Sequence, residues 1–279
     1  MKNGFIIAMA QVEPSPDPRA NLEKARLMAD KAAARGADLL LFPEMFMGLP
    51  TPERPPERIA AEDKGAFADG LAALASAAGL FIAAGCWESG PGDGRAYNTA
   101  RIFSPEGKSI AAYRKVHLFD ALSMRESDTM AAGDALPPVV AVAGVKVGVA
   151  ICYDLRFPEL FRHLALQGAQ LIVLPSAWYQ GPVKELHWAT LLQARAIENT
   201  LYVAGCNLVG ATFCGRSALF DPFGIQVVGA GEGEELIAGV IDPERIAAVR
   251  KKLPSLANRR LAIDSLRLRQ GSGRSEEVR

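Results

Sequence analysis

Residues 38–44, Asp-Leu-Leu-Leu-Phe-Pro-Glu, limit the folds open to this chain more than any other stretch. After Asp38 the apolar residues do not alternate with polar ones, so a strand here has no face to give to water. It must be a central strand covered on both sides, which calls for a layered α/β architecture. Neighbouring segments supply the layers. Residues 5–10 read as a short apolar strand, and a Pro/Asp-rich turn at 14–18 introduces a helix over about 19–35. Leu22, Ala25, Met28, Ala29 and Ala32 make one apolar face of that helix, and Gly36 is placed to end it. A second helix over about 64–78, closed by Gly79, feeds a strand at 80–84.

The middle of the chain is richer in strands. Residues 97–103 and 109–113 flank Ser-Pro-Glu-Gly, a hairpin turn, and 139–151 repeats the arrangement around Ala-Gly. Pro158 opens a helix to about Gln167, a strand follows at 170–174, and a long helix covers about 183–199. Strands at 201–206 and 236–241 bracket a pair around Asp-Pro-Phe-Gly, 221–224. So many hairpins fit a simple parallel doubly wound sheet poorly, yet each helix has one apolar face and must cover a sheet. An α–β–β–α sandwich meets both conditions. No Pro-, Gly- or Ser-rich linker divides the chain, so one domain is expected over 1–269, with a mobile tail at 270–279.

Composition narrows the function. Of 279 residues, 31 Lys and Arg balance 31 Asp and Glu, which removes the positive surplus that draws proteins to nucleic acid. Four cysteines, Cys86, Cys152, Cys206 and Cys214, form no Cys-x-x-Cys pair and suggest no disulfide framework. The apolar stretch at the start is too short for a signal peptide, and no run of 18 apolar residues exists. A cytoplasmic protein with no membrane partner is the expectation.

Three residues carry candidate chemistry. Cys152 lies between a strand and the helix at Pro158, where a nucleophile is held rigidly and backbone N–H groups can point at an oxyanion. Glu44 ends the buried strand, at the strand end where α/β folds gather ligand-binding groups, and can pass a proton between a thiol and a leaving amine. Lys115, in Tyr-Arg-Lys-Val-His-Leu-Phe-Asp, can stabilise a negative oxygen and favour a nearby thiolate. Each admits a plainer reading: a small buried hydrophobe for Cys152, a solvated loop residue for the other two. A Cys–His dyad with His117 or His187 also stays open. His117, His163 and His187 have no metal-ligand spacing, and no phosphate loop or Gly-x-Ser-x-Gly elbow is present.

Taken together, Leu-Phe-Pro-Glu-Met-Phe around Glu44, Tyr-Arg-Lys-Val-His-Leu-Phe-Asp around Lys115 and Ile-Cys-Tyr-Asp-Leu-Arg-Phe-Pro-Glu around Cys152 resemble the nitrilase superfamily of carbon–nitrogen hydrolases. The resemblance continues through Leu-Pro-Ser-Ala-Trp (174–178), His187-Trp188, Ala-Arg-Ala-Ile-Glu-Asn (194–199) and Gly-Arg-Ser with Asp-Pro-Phe-Gly (215–224). It implies a four-layer fold and a Glu–Lys–Cys triad, with Glu44 as general base and acid, Lys115 as oxyanion stabiliser and Cys152 as nucleophile. It further implies that Glu126 holds the lysine, that the Tyr153 N–H is a second oxyanion donor, and that neither metal nor organic cofactor is needed. The motifs look more like the ω-amidase and deaminated-glutathione amidase group than like nitrilases, which tend to have Cys-Trp-Glu at the nucleophile. A cysteine-dependent amidase acting on a small, carboxylate-bearing amide is therefore expected. A nitrilase, an N-carbamoyl amide hydrolase and a catalytically silent interaction protein are the alternatives.

Pocket candidates are Phe119, Trp178, Tyr179, Arg114 and Lys184, the two cations being placed to receive a carboxylate. The segment from Trp178 to Glu185 lacks the Thr-Gly-Pro-Ala-His-Trp pattern of those amidases, which leaves the acyl group open. The family also pairs subunits through helices near the nucleophile. A homodimer or higher oligomer is thus expected, with Phe161, Leu164 and Ile197 on the exposed faces.

Overall fold

The computed structural model describes residues 4–261 and 267–268; the expected tail at 270–279 lies outside them. The elements are β1 (Phe5–Gln11), α1 (Pro18–Ala34), β2 (Leu39–Leu41), α2 (Pro56–Asp63), α3 (Ala66–Ala78), β3 (Phe81–Ser89), β4 (Ala96–Phe103) and β5 (Ser109–Arg114). A two-stranded hairpin follows, β6 (Asp120–Ala121) with β7 (Met124–Arg125). The second half comprises β8 (Val139–Val142), β9 (Val145–Val149), α4 (Pro158–Leu166), β10 (Leu171–Ser176), α5 (Lys184–Asn199), β11 (Tyr202–Asn207), β12 (Ala218–Phe220), β13 (Gln226–Gly229), β14 (Glu235–Ile241) and α6 (Pro243–Lys252).

Two six-stranded sheets result, in the orders β14-β1-β2-β3-β4-β5 and β13-β12-β11-β10-β9-β8. In each, three consecutive strands run parallel, β1-β2-β3 and β9-β10-β11, with antiparallel neighbours outside them. The mixed sheets reconcile a parallel core with the hairpins expected from the sequence.

The period-2 rule sets the layers. In β2, Leu39 and Leu41 join the core between the sheets, while Leu40 joins the one under α1 and α3. β1 divides the same way, with Ile7 and Met9 against Ala8 and Ala10. The unbroken apolar run thus serves two cores at once, which is why it tolerates no polar residue. On the other sheet, α4 and α5 bury Leu160, Phe161, Leu164, Trp188, Leu192 and Ala196. The architecture is the expected α–β–β–α sandwich.

Two expectations need correction. Phe161 and Leu164 are fully buried, because α4 turns them onto β9 and Gly148 leaves room for Leu164; only Ile197 of that group is exposed. The helix expected from residue 64 begins at Ala66, since Lys64 and Gly65 both take positive φ and separate it from α2. Two helices, α2 and α6, were not anticipated. Both start at a proline, but α2 has only eight residues and α6 buries only Ile246 and Val249, so neither shows a long apolar stripe.

Candidate active site

The ends of β2, β5, β9 and β10 bring the sequence-predicted residues together. Glu44 follows β2 in a tight turn laid directly on β3. Gly85 makes that approach possible, because a Cβ there would stand 2.7 Å from the Glu44 Cα and 2.8 Å from the Pro43 carbonyl oxygen. The Glu44 carboxylate is buried and fully organised. Its Oε1 accepts from Asn98 Nδ2 at 2.7 Å and from Lys115 Nζ at 2.8 Å, and its Oε2 accepts from the Ala177 N–H at 2.8 Å.

Lys115 follows β5, with its side chain wholly enclosed. Its Nζ donates to Glu44 and also to Glu126, at 2.9 Å to Oε2 and 3.1 Å to Oε1. Glu126 Oε2 additionally accepts the Phe119 N–H at 2.8 Å, which fixes the carboxylate across the lysine. Burial works against the Lys115 ammonium, but the two carboxylates outweigh it and hold its pKa well above the ordinary lysine value. If the Glu126 oxygens share one N–H, a third N–H remains for a substrate oxygen.

Cys152 opens a short 3-10 turn, Cys152–Arg156, and takes φ of +40°, an uncommon conformation for a side-chain-bearing residue. Its thiol is buried. Burial, then the Glu44 charge, push its pKa well above the ordinary thiol value, and Lys115 offsets only part of this. Lys115 favours the thiolate as expected, but burial and the Glu44 charge together outweigh it, so the resting thiol keeps its proton until something removes it.

Beside the thiol is a narrow pocket lined by Phe119, Glu126, Cys152, Tyr153, Arg156, Ala177, Trp178, Tyr179 and Lys184. Phe119 meets Tyr153 edge-on and stacks with Tyr179. Lys184 Nζ lies 5.0 Å from the ring centroids of both Phe119 and Trp178. Burial, with Arg156 nearby, lowers its pKa. Arg114 does not reach the pocket: its guanidinium binds Glu88 and covers the Tyr97 ring. In its place stands Arg156, whose guanidinium lies over Trp178 at 4.7 Å. The sequence reading passed over Arg156, though its place four residues after Cys152 in a turn was the available signal. Asn98 and Asp154, both buried, were also missed, because a polar residue inside a strand or turn has no mark in sequence until its partner is known.

Neither open histidine alternative pairs with the thiol. His117 Nδ1 lies 2.7 Å from Asp154 Oδ1, and His187 faces Arg156 at 3.4 Å. Among the described residues no group of three His, Cys, Asp or Glu is placed to hold a metal ion, and no helix is long and apolar enough to cross a membrane.

The carbon–nitrogen hydrolase family profile matches residues 6–251. The chain belongs to this family. Among its relatives, deaminated glutathione amidase of Escherichia coli O157:H7 is 46% identical over 169 residues, 61% of this chain and 64% of that protein. Deaminated glutathione amidase of Synechocystis sp. is 37% identical over 269 residues, 91% of this chain and 98% of that one. A double mutant of the amidase from Nesterenkonia sp. AN1, solved in complex with acrylamide, superposes with a TM-score of 0.81 at 28% identity, covering 92% of this chain and 94% of that one. In another structure of that amidase its active-site cysteine carries the acetamide moiety of fluoroacetamide covalently. As a carbon–nitrogen hydrolase, this chain belongs to a superfamily that works by cysteine-dependent hydrolysis of amides and nitriles.

Proposed function

We propose that this carbon–nitrogen hydrolase is an amidase that releases ammonia from a small amide carrying a carboxylate, through a thioester on Cys152. The observation that carries the reading is the buried Lys115 gripped between Glu44 and Glu126, beside the Cys152 thiol. In the first step Glu44 Oε2, whose one described partner is the Ala177 N–H, takes the thiol proton as sulfur attacks the amide carbon. Lys115 Nζ and the Tyr153 N–H receive the charge that develops on oxygen. Glu44 then gives its proton to the departing nitrogen, the C–N bond breaks, and ammonia leaves. A water molecule, deprotonated by the same carboxylate, attacks the thioester, and the acid departs as the thiol is restored.

Charge supports the acidic substrate. Lys115, Arg156 and Lys184 face two carboxylates, Glu44 and Glu126, which leaves one positive charge for a ligand to neutralise. Among the described residues neither Arg156 nor Lys184 forms an ion pair, although they repel each other across the pocket mouth. Trp178 and Tyr179 suit the apolar stem between amide and carboxylate.

The test is ammonia release from acid-bearing and neutral amides of equal length, beside the matching nitriles. Acid-bearing amides should be cleaved fastest, and Lys184→Gln should raise their KM by roughly 10-fold, the scale of one charge-assisted hydrogen bond, with neutral amides unaffected. Equal kcat/KM for acid and neutral amides would refute the carboxylate pocket, and faster turnover of nitriles would refute the amidase.

A further inference from the structure

The segment Tyr113–His117 alternates in its use. Lys115 points to the two glutamates, while Tyr113 and His117, one residue pair to either side, both reach Asp154. Asp154 is fully buried in the turn that begins at Cys152. Its Oδ2 accepts from the Tyr113 O–H at 2.9 Å and from the Ile151 N–H at 2.9 Å, and its Oδ1 meets His117 Nδ1 at 2.7 Å. A carboxylate only accepts, so His117 Nδ1 carries the proton and donates. The His117 ring is held flat against Phe157, with centroids 3.6 Å apart and planes 6° from parallel.

Every described side-chain hydrogen bond of Asp154 therefore ends on one of two things, the backbone next to Cys152 or the segment that carries Lys115. The Asp154 N–H returns a bond to the Ile151 carbonyl at 2.9 Å, closing a ring around the nucleophile. Cys152 itself sits at positive φ, a conformation its surroundings must impose. Two of these bonds join Ile151 to Asp154 and so bracket Cys152.

We propose that Asp154, held by His117 and Tyr113, is a positioning device that sets the Cys152 thiol at a fixed place relative to Lys115 and Glu44. It rests on the amidase reading for its kinetic consequences, but its geometric content concerns only the thiol. His117 acts through Asp154 and touches no substrate. Loosening it shifts the sulfur directly, while the pocket walls outside this turn, Phe119, Ala177, Trp178, Tyr179 and Lys184, stay in place, so the loss falls on kcat more than on KM. A displacement of about 1 Å is enough to cost on the order of 10²-fold in rate.

The experiment compares His117→Ala, His117→Asn and His117→Gln. Asn can present an amide N–H where Nδ1 stood; Gln places its amide near the Nε2 position and cannot reach Asp154 the same way. Three readouts are taken: kcat and KM for an acid-bearing amide, the rate at which iodoacetamide alkylates Cys152, and the thermal midpoint. His117→Ala should lower kcat by roughly 10- to 100-fold with KM within about twofold, and should slow alkylation in parallel. Asn should restore most of both, and Gln neither. If Asn and Gln behave alike, if the losses follow the thermal midpoint across the three variants, or if His117→Ala keeps kcat and alkylation within about twofold of wild type, the proposal is overturned. The alkylation rate needs no amide to be a substrate, so failure of the amidase reading leaves this readout intact and separable.

Discussion

Replacing Lys115 by methionine keeps the length of the side chain and removes its charge, and the consequences can be worked from the site. The ammonium has no exposure, and the carboxylates on either side of it have side-chain exposures of 1% and 9%. Glu44 keeps donors from Asn98 and Ala177, and Glu126 keeps the Phe119 N–H, but two negative charges now share an enclosed space with no cation. Removing one partner of a buried ion pair costs about 3–5 kcal/mol, because the remaining charge is left uncompensated. At about 2–4 °C per kcal/mol for a chain of this size, the thermal midpoint should fall by roughly 6–20 °C at neutral pH. Ammonia release should drop by about 10²-fold or more through loss of an oxyanion donor. Calorimetry paired with an ammonia assay reads both effects. A midpoint unchanged from wild type would refute the claim that Lys115 neutralises a buried acidic pair.

Two further expectations concern the resting thiol and assembly. The folded state holds the Cys152 proton more tightly than the unfolded chain, whose thiol titrates near its ordinary value of 9.0. Its contribution to stability is thus full below that pH and is lost as the pH climbs above it, and ultraviolet titration should show no thiolate signal that Cys152→Ala removes until well above pH 9.0; a Cys152 thiolate at neutral pH would contradict the geometry. The exposed Ile197, Phe223 and Ile225 lie together, since Gly224 packs on Ile197, and we expect them to be covered in a homodimer. Ile197→Glu should shift light scattering to monomer, and a wild-type monomer active at micromolar concentration would refute the assembly.

The sequence revealed most where one residue type had only one physical use. The run after Asp38 could only be a strand buried on two faces, and it is. The hairpins around Ser-Pro-Glu-Gly and Ala143-Gly144 followed from turn chemistry, and both are present. Side-chain reach was far less legible. Arg114 and Lys184 were equal candidates for the pocket, but strand alternation sends Arg114 to Glu88 on the far face of the sheet while Lys115 turns inward. Arg156 enters the pocket because the turn after Cys152 is helical, a fact the pentapeptide alone does not announce. The apolar residues of α4 were read as a surface because no sequence pattern tells which neighbour a helix covers.

The central claim is that Cys152 carries the acyl group during turnover. The most direct measurement is rapid quenching of the wild-type protein during hydrolysis of an acid-bearing amide, followed by intact mass and peptide mapping. The account predicts an acyl adduct on the peptide that contains Cys152, diverted to a hydroxamate when hydroxylamine is added, and no turnover in Cys152→Ala. An adduct on Cys86, Cys206 or Cys214 instead, or full activity in Cys152→Ala, would contradict it.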